Sequence, residues 1–101
     1  MTPAPQFSVV IPARNEAEGL RKLLPEVARL LPQAEVIVVD DGSDDDTAAA
    51  CGRLGVRHIR HPYPKGNGAA IKTGARAAKG EVLVFMDADG QHKPEDLSEL
   101  I

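Results

Sequence analysis

Short apolar runs alternate with helix-forming stretches along this chain, and that alternation restricts its fold more than any other feature. The runs are Phe7-Ser8-Val9-Val10-Ile11, Glu35-Val36-Ile37-Val38-Val39, Val56-Arg57-His58-Ile59-Arg60 and Val82-Leu83-Val84-Phe85-Met86. The last is continuously apolar and reads as a strand buried on both faces, while the third alternates apolar with charged residues as at a sheet edge. Strands separated by helices imply a parallel sheet with helices on both faces and right-handed crossovers. The expected class is therefore α/β, a Rossmann-like parallel sheet of order 3-2-1-4. Between strands 3 and 4 the chain crosses from one side of strand 1 to the other. Ligands bind beyond the C-terminal strand ends near such a switch point.

The helical stretches carry their own signals. Pro12 is expected to end the first strand, and Asn15 to cap the first helix with Glu18 at the capping-box position. Leu20, Leu23, Leu24, Val27, Leu30 and Leu31 then share one helical face. Pro25 interrupts that stretch; inside a helix it costs about 3 kcal/mol, so a kink or restart is expected. Ser43, with Asp46 three residues later, opens a second helix whose positive end suits Asp44, Asp45 and Asp46. Ala69, Ala70, Gly74, Ala77 and Ala78 give a third helix able to pack closely, with Gly80 as its stop. Pro94 begins a fourth that reaches Ile101 without a stop signal. Residues 1–101 thus read as one domain, the N-terminal piece of a longer one.

Composition excludes several classes. Fifteen acidic against 12 basic residues, net −3, leave no electrostatic footprint for nucleic acid. One cysteine, Cys51, allows no internal disulfide, and its alanine neighbours make it a small buried helix residue. No apolar stretch reaches the roughly 18 residues of a membrane span, and Met1-Thr2-Pro3-Ala4-Pro5 is no signal peptide. A soluble, cytoplasmic protein is expected, meeting a membrane surface only through a part C-terminal to this chain.

Polar clusters fall at three strand ends: Pro12-Ala13-Arg14-Asn15-Glu16, Asp40-Asp41-Gly42-Ser43 and Asp87-Ala88-Asp89. In extended backbone Asp87 and Asp89 point the same way, and Gly90 lets Gln91 bring a carbonyl to the same ion. Such oxygen ligands suit Mg²⁺ or Mn²⁺ better than zinc. Helix capping is the plainer reading of each cluster taken alone; their convergence on one rim favours a site. Asp40-Asp41 can accept hydrogen bonds from a nucleobase or ribose. Lys65-Gly66-Asn67-Gly68 can meet phosphate through backbone amides and one cation, or serve only as a turn. It is a poor match to the dinucleotide fingerprint, since position 71 is Ile. His58, His61 and His92 lack zinc-ligand spacing.

Together these segments resemble family 2 glycosyltransferases of the GT-A fold, particularly the dolichyl- or polyprenyl-phosphate mannose and glucose synthases. The matching text is Val9-Val10-Ile11-Pro12-Ala13-Arg14-Asn15-Glu16, Val38-Val39-Asp40-Asp41-Gly42-Ser43, Gly66-Asn67-Gly68-Ala69 through Gly74, and Asp87-Ala88-Asp89-Gly90-Gln91-His92 with Pro94-Glu95. The resemblance implies that Pro12, Arg14, Glu16, Val39 and Asp41 contact the nucleoside of a GDP- or UDP-hexose. It also implies that Asp87, Asp89 and Gln91 hold Mg²⁺ or Mn²⁺ on the diphosphate; Lys65 and the Asp87-Ala88-Asp89 segment are expected to complete the nucleotide-sugar contacts. Arg14 departs from the branch, which often has Tyr there. The implied reaction is inverting hexosyl transfer, with a lipid phosphate as acceptor. Such an acceptor is already anionic and requires no strong general base; no catalytic base is identified.

Two rivals remain at this level. A receiver-type phosphorylation domain needs an acidic pair after strand 1, where this chain has Pro12-Ala13-Arg14. A non-catalytic nucleotide-sugar-binding or assembly module fits 101 residues lacking an acceptor half. The isolated chain is expected to be inactive in transfer and, through an open fourth strand, to self-associate.

Overall fold

In the computed structural model, residues 6–44, 47–52 and 56–88 are described. The elements run β1 (Phe7–Ala13), α1 (Ala17–Leu30), β2 (Glu35–Asp40), α2 (Thr47–Gly52), β3 (Arg57–Arg60), α3 (Asn67–Ala77) and β4 (Val82–Phe85). The four strands form one sheet of order β3-β2-β1-β4, and every pairing is parallel. The expected α/β architecture and strand order are both present.

Side-chain alternation along the strands separates two cores. Val9, Ile11, Ala13, Val38, Val84 and Met86 meet Leu20, Leu23, Leu24 and Val27 of α1 and Cys51 of α2. Val10, Ile37 and Val39 point the other way, onto Ala70 of α3. A Cβ at Gly74 would collide with the Val10 side chain, so this glycine lets α3 lie close against β1. The small-residue reading of that helix holds.

Several local expectations are corrected. Pro12 does not end β1; it pairs with Val39 inside the strand. Val10 O accepts from Met86 N–H, toward β4, and Ala13 O accepts from Asp41 N–H, toward β2. Backbone groups alternate sides along a strand, so the N–H that Pro12 lacks faces β4, one step past the last paired residue. The proline therefore stands where pairing with β4 ends, and the ladder to β2 is intact. α1 runs from Ala17 to Leu30 as one helix with exposed Pro25 inside it. Its N-cap residue is Glu16, without a side-chain cap; Asn15, at φ 54°, is used elsewhere. Ser43 does not open α2, which begins at Thr47, and Asp45 and Asp46 lie outside the described residues.

Gly80 is not the stop of α3, which ends at Ala77 with Ala78 extended. It lies where a Cβ would come within 2.7 Å of Phe7 backbone and of Ser8 Oγ, so it lets the chain pass over the start of β1. β4 is not buried on both faces: Val84 is covered, while Leu83 and Phe85 on the opposite face, and Val82 at the start of the strand, are exposed. It is the outer strand of the sheet, with β1 as its partner. The helix expected from Pro94 lies outside the described residues.

Candidate functional site

The rim at the C-terminal strand ends is built from β1, β2, β4 and the entry to α3. Pro12, Ala13, Arg14, Asp41, Gly66, Asn67 and Ala70 enclose an open recess of about 240 Å³. It lies on the α3 face of the sheet, because Ala70 packs with Val10, Ile37 and Val39. The same parity assigns Asp87: Val10 pairs with Phe85, so the register carried two residues further sets Asp87 level with Pro12 on that face. The ends of β1 and β2 and the start of α3 line the recess, and the extended register sets the end of β4 level with them.

Asp41 is the best-defined group there. Its Oδ1 accepts from the His61 ring at 2.8 Å and from Lys65 N–H at 2.8 Å, and its Oδ2 accepts from Gly66 N–H at 2.9 Å. The far ring nitrogen of His61 meets Thr73 Oγ1 at 2.9 Å. Burial acts to raise the Asp41 pKa, but these three hydrogen bonds and the charge on His61 outweigh it and hold the carboxyl below its ordinary 3.8. It is a carboxylate at neutral pH. With about four acceptor positions on a carboxylate, one remains, on Oδ2. Gly42 makes the close approach possible. At φ 72° it occupies the left-handed region, and a Cβ there would lie 2.6 Å from Pro64 N.

Asp40 does something else. Its Oδ1 accepts from Ser43 N–H at 2.8 Å and its Oδ2 lies 3.3 Å from His58 Nε2, with the carboxylate itself buried. Asn15 joins the same loop: its N–H donates to Ser43 Oγ and its Oδ1 accepts from Asp44 N–H. Asn15 and Ser43, both expected as helix caps, therefore tie the β1–α1 and β2–α2 loops together.

The other expected site residues divide. Pro12 and Arg14 line the recess. Val39 does not: it is fully buried in the core beneath α3. Glu16 is half-buried near the turn where Ala88 O meets Gly19, which brings the end of β4 against the first turn of α1. Lys65 reaches Asp41 through its backbone N–H, while its ammonium stands 5.3 Å over the ring of exposed Tyr63. Ala88 is buried. Asp89 and Gln91 lie outside the described residues. Among the described residues no group of three His, Cys, Asp or Glu side chains is placed to hold a metal. Asp87, half-buried, follows the end of β4. The roles of His61 and Thr73 are not apparent from sequence reasoning. The available signal is a histidine directly after an edge strand, facing an aspartate directly after the neighbouring one.

A parallel sheet of order 3-2-1-4 with polar residues gathered at its C-terminal rim defines an α/β protein of the class in which ligands bind at the switch point. Residues 8–101 match the family described as Glycosyl transferase family 2, and the chain belongs to that family. It is 41% identical to a polyprenol monophosphomannose synthase of Mycolicibacterium smegmatis, over 98% of this chain and 41% of that protein. It is 40% identical to a dolichol-phosphate mannosyltransferase of Pyrococcus furiosus, over 95% of this chain and 29% of that protein. The chain therefore spans less than half the length of these relatives. Among solved structures, a Pyrobaculum calidifontis mannosyltransferase in complex with GDP-Man and Mn²⁺ superposes with TM-score 0.77 at 31% identity, covering 87% of this chain and 28% of that one. Glucosyl-3-phosphoglycerate synthase of Mycobacterium tuberculosis, with Mn²⁺, UDP and glucosyl-3-phosphoglycerate, gives TM-score 0.80 at 29% identity, covering 93% and 37%. The GT-A fold implied by the sequence is shared with these glycosyltransferases.

Proposed function

We propose that these residues form the donor side of a metal-dependent hexosyltransferase, binding a GDP- or UDP-hexose and serving inverting transfer to a polyprenyl or dolichyl phosphate. The observation that carries the reading is Asp41, an anionic acceptor fixed by three internal bonds at the wall of a recess shared with Pro12 and Arg14. Oδ2 has one acceptor position left for a base N–H, and Arg14, exposed at the same wall, offers a planar cation to the base or a phosphate. Asp87 is a carboxylate donor of the kind a hard cation takes, to be completed by Asp89 and Gln91. Mg²⁺ or Mn²⁺ held there would neutralise charge gathering on the leaving diphosphate. The protein's own part is to fix the nucleoside and exclude alternative orientations of the donor. Relatives named for polyprenol and dolichol phosphates support the acceptor class. Such a phosphate is its own nucleophile.

The test is calorimetric titration of GDP and UDP into the 101-residue chain, each with and without Mn²⁺. Metal-dependent binding of at least one nucleotide is expected, weakened at least tenfold in Asp87→Ala. No binding of either nucleotide refutes the donor-site reading.

A further inference from the structure

We infer that His61 is a positioning residue for the nucleotide: it sets the orientation of the Asp41 carboxylate so that the one acceptor position left on Oδ2 is held for the base. This rests on the donor-site reading above.

His61 is 5% exposed and stands between two partners from different elements, Asp41 after β2 and Thr73 on α3. Because Asp41 is a carboxylate, the nitrogen facing it, Nδ1, carries the proton and donates. The far nitrogen, Nε2, meets Thr73 Oγ1 at 2.9 Å, and the hydroxyl can serve it as donor or as acceptor. The imidazole is fixed at both ends, and so is the plane of the carboxylate it holds. The two remaining Asp41 bonds come from consecutive backbone amides, Lys65 and Gly66, one to each oxygen. They tie the carboxylate to the loop, and the loop itself is anchored where His61 N–H donates to Asp40 O. Without the ring, Oδ1 loses its one side-chain donor, and the carboxylate is held only through the Lys65 and Gly66 amides, whose exposed loop it then follows. A base that needs one acceptor in one direction then meets a distribution of directions.

Two conservative replacements separate positioning from packing. The amide nitrogen of Asn lies as many bonds from Cα as His Nδ1, so His61→Asn keeps a donor for Asp41 and abandons Thr73. The amide of Gln reaches toward the Nε2 position, so His61→Gln keeps reach to Thr73 and abandons Asp41. Each replacement sacrifices one bond of the ring. Thr73→Val removes the same bond that Asn loses while keeping the native imidazole.

The experiment titrates GDP and UDP, each with Mn²⁺, into the 101-residue wild type and the three variants, with thermal unfolding of each measured in parallel. Wild-type-like affinity, within about threefold, is expected for His61→Asn and Thr73→Val. His61→Gln should bind about tenfold more weakly or worse, the cost of one charge-assisted hydrogen bond. Affinities that follow melting temperature, with Asn and Gln equally impaired, overturn the positioning role and leave a structural histidine. A wild type that binds nucleotide while all variants match it overturns this inference alone. A wild type that binds neither nucleotide overturns the donor-site reading, and this inference with it.

Discussion

Replacing Asp41 by Asn keeps the shape of the side chain and removes its charge, and the surrounding donors determine the cost. The carboxylate accepts from the His61 ring, Lys65 N–H and Gly66 N–H. An amide has one carbonyl oxygen and one NH₂. With its oxygen toward His61 and Lys65, the NH₂ confronts Gly66 N–H; flipped, the NH₂ confronts Lys65 N–H. Either way at least one backbone donor loses its acceptor. Bonds to a charged acceptor contribute about 1.5–3 kcal/mol and neutral ones about 0.5–1.5, so two weakened bonds cost about 1 kcal/mol each. The opposed donor adds about 1 kcal/mol, the low end of its range because Gly66 is exposed and water can reach it. The expected loss is about 3 kcal/mol at pH 7, read from urea unfolding as a lower midpoint with an unchanged slope.

The pH dependence provides a second, independent measure of the same bonds. The folded-state pKa of Asp41 lies below its ordinary 3.8, so its contribution is present above that value and lost as pH falls through the depressed one. The gap between wild type and Asp41→Asn should therefore narrow as pH falls below 3.8. The depressed carboxyl of Glu35 titrates in both proteins and cancels. A difference within about 0.5 kcal/mol at pH 7, the ordinary scatter for surface substitutions, would refute the view that these bonds anchor the rim.

Gly74→Ala should destabilise by up to about 2 kcal/mol, since overpacking against Val10 costs about 1–3 and Ala regains about 1 in helix propensity. Adding Val10→Ala should show favourable coupling in a double-mutant cycle; strict additivity would mean the helix simply shifts. Cys51, fully buried, has its thiol pushed up to about 11 by burial and by the nearby Asp40 charge, so thiol reagents at pH 8 should label it only after urea is added. Rapid native labelling would contradict that placement. The chain should also self-associate through β4, where Val82, Leu83 and Phe85 are 43%, 37% and 45% exposed on an outer strand. Light scattering that reports a monomer at high concentration counts against it.

Strand order and the two-faced arrangement are readable in the sequence because both come from short apolar runs alternating with helices, a pattern with few chiral solutions. The departures are local. An isolated proline such as Pro12 reads as a strand end because it removes a donor, yet the missing N–H falls where β4 has stopped pairing, which depends on register between distant segments. The apolar composition of β4 suggests burial on both faces, yet composition does not say whether a neighbour covers the second one. Asn15 and Ser43 carry the chemistry of helix caps, and the fold uses that chemistry to join two loops 28 positions apart. The Ser8–Glu35 bond, with Lys79 and Gly80 N–H groups closing over it, is invisible in the sequence for the same reason. Polar residues announce that they need partners; sequence alone does not say which.

The adjacent pair Asp40 and Asp41 shows how far simple parity nevertheless reaches. Along β2, Ile37 and Val39 face α3 while Val38 faces α1 and α2. Continuing the alternation sends Asp40 to the side of Cys51 and α2, and Asp41 to the side of the recess. Each carboxylate meets a histidine from the neighbouring edge strand or the residue just past it, His58 for Asp40 and His61 for Asp41, even with even and odd with odd. The first pair closes a loop away from the recess. The second leaves an acceptor at its wall, so one residue of offset along a strand separates a structural aspartate from the one placed to meet a ligand.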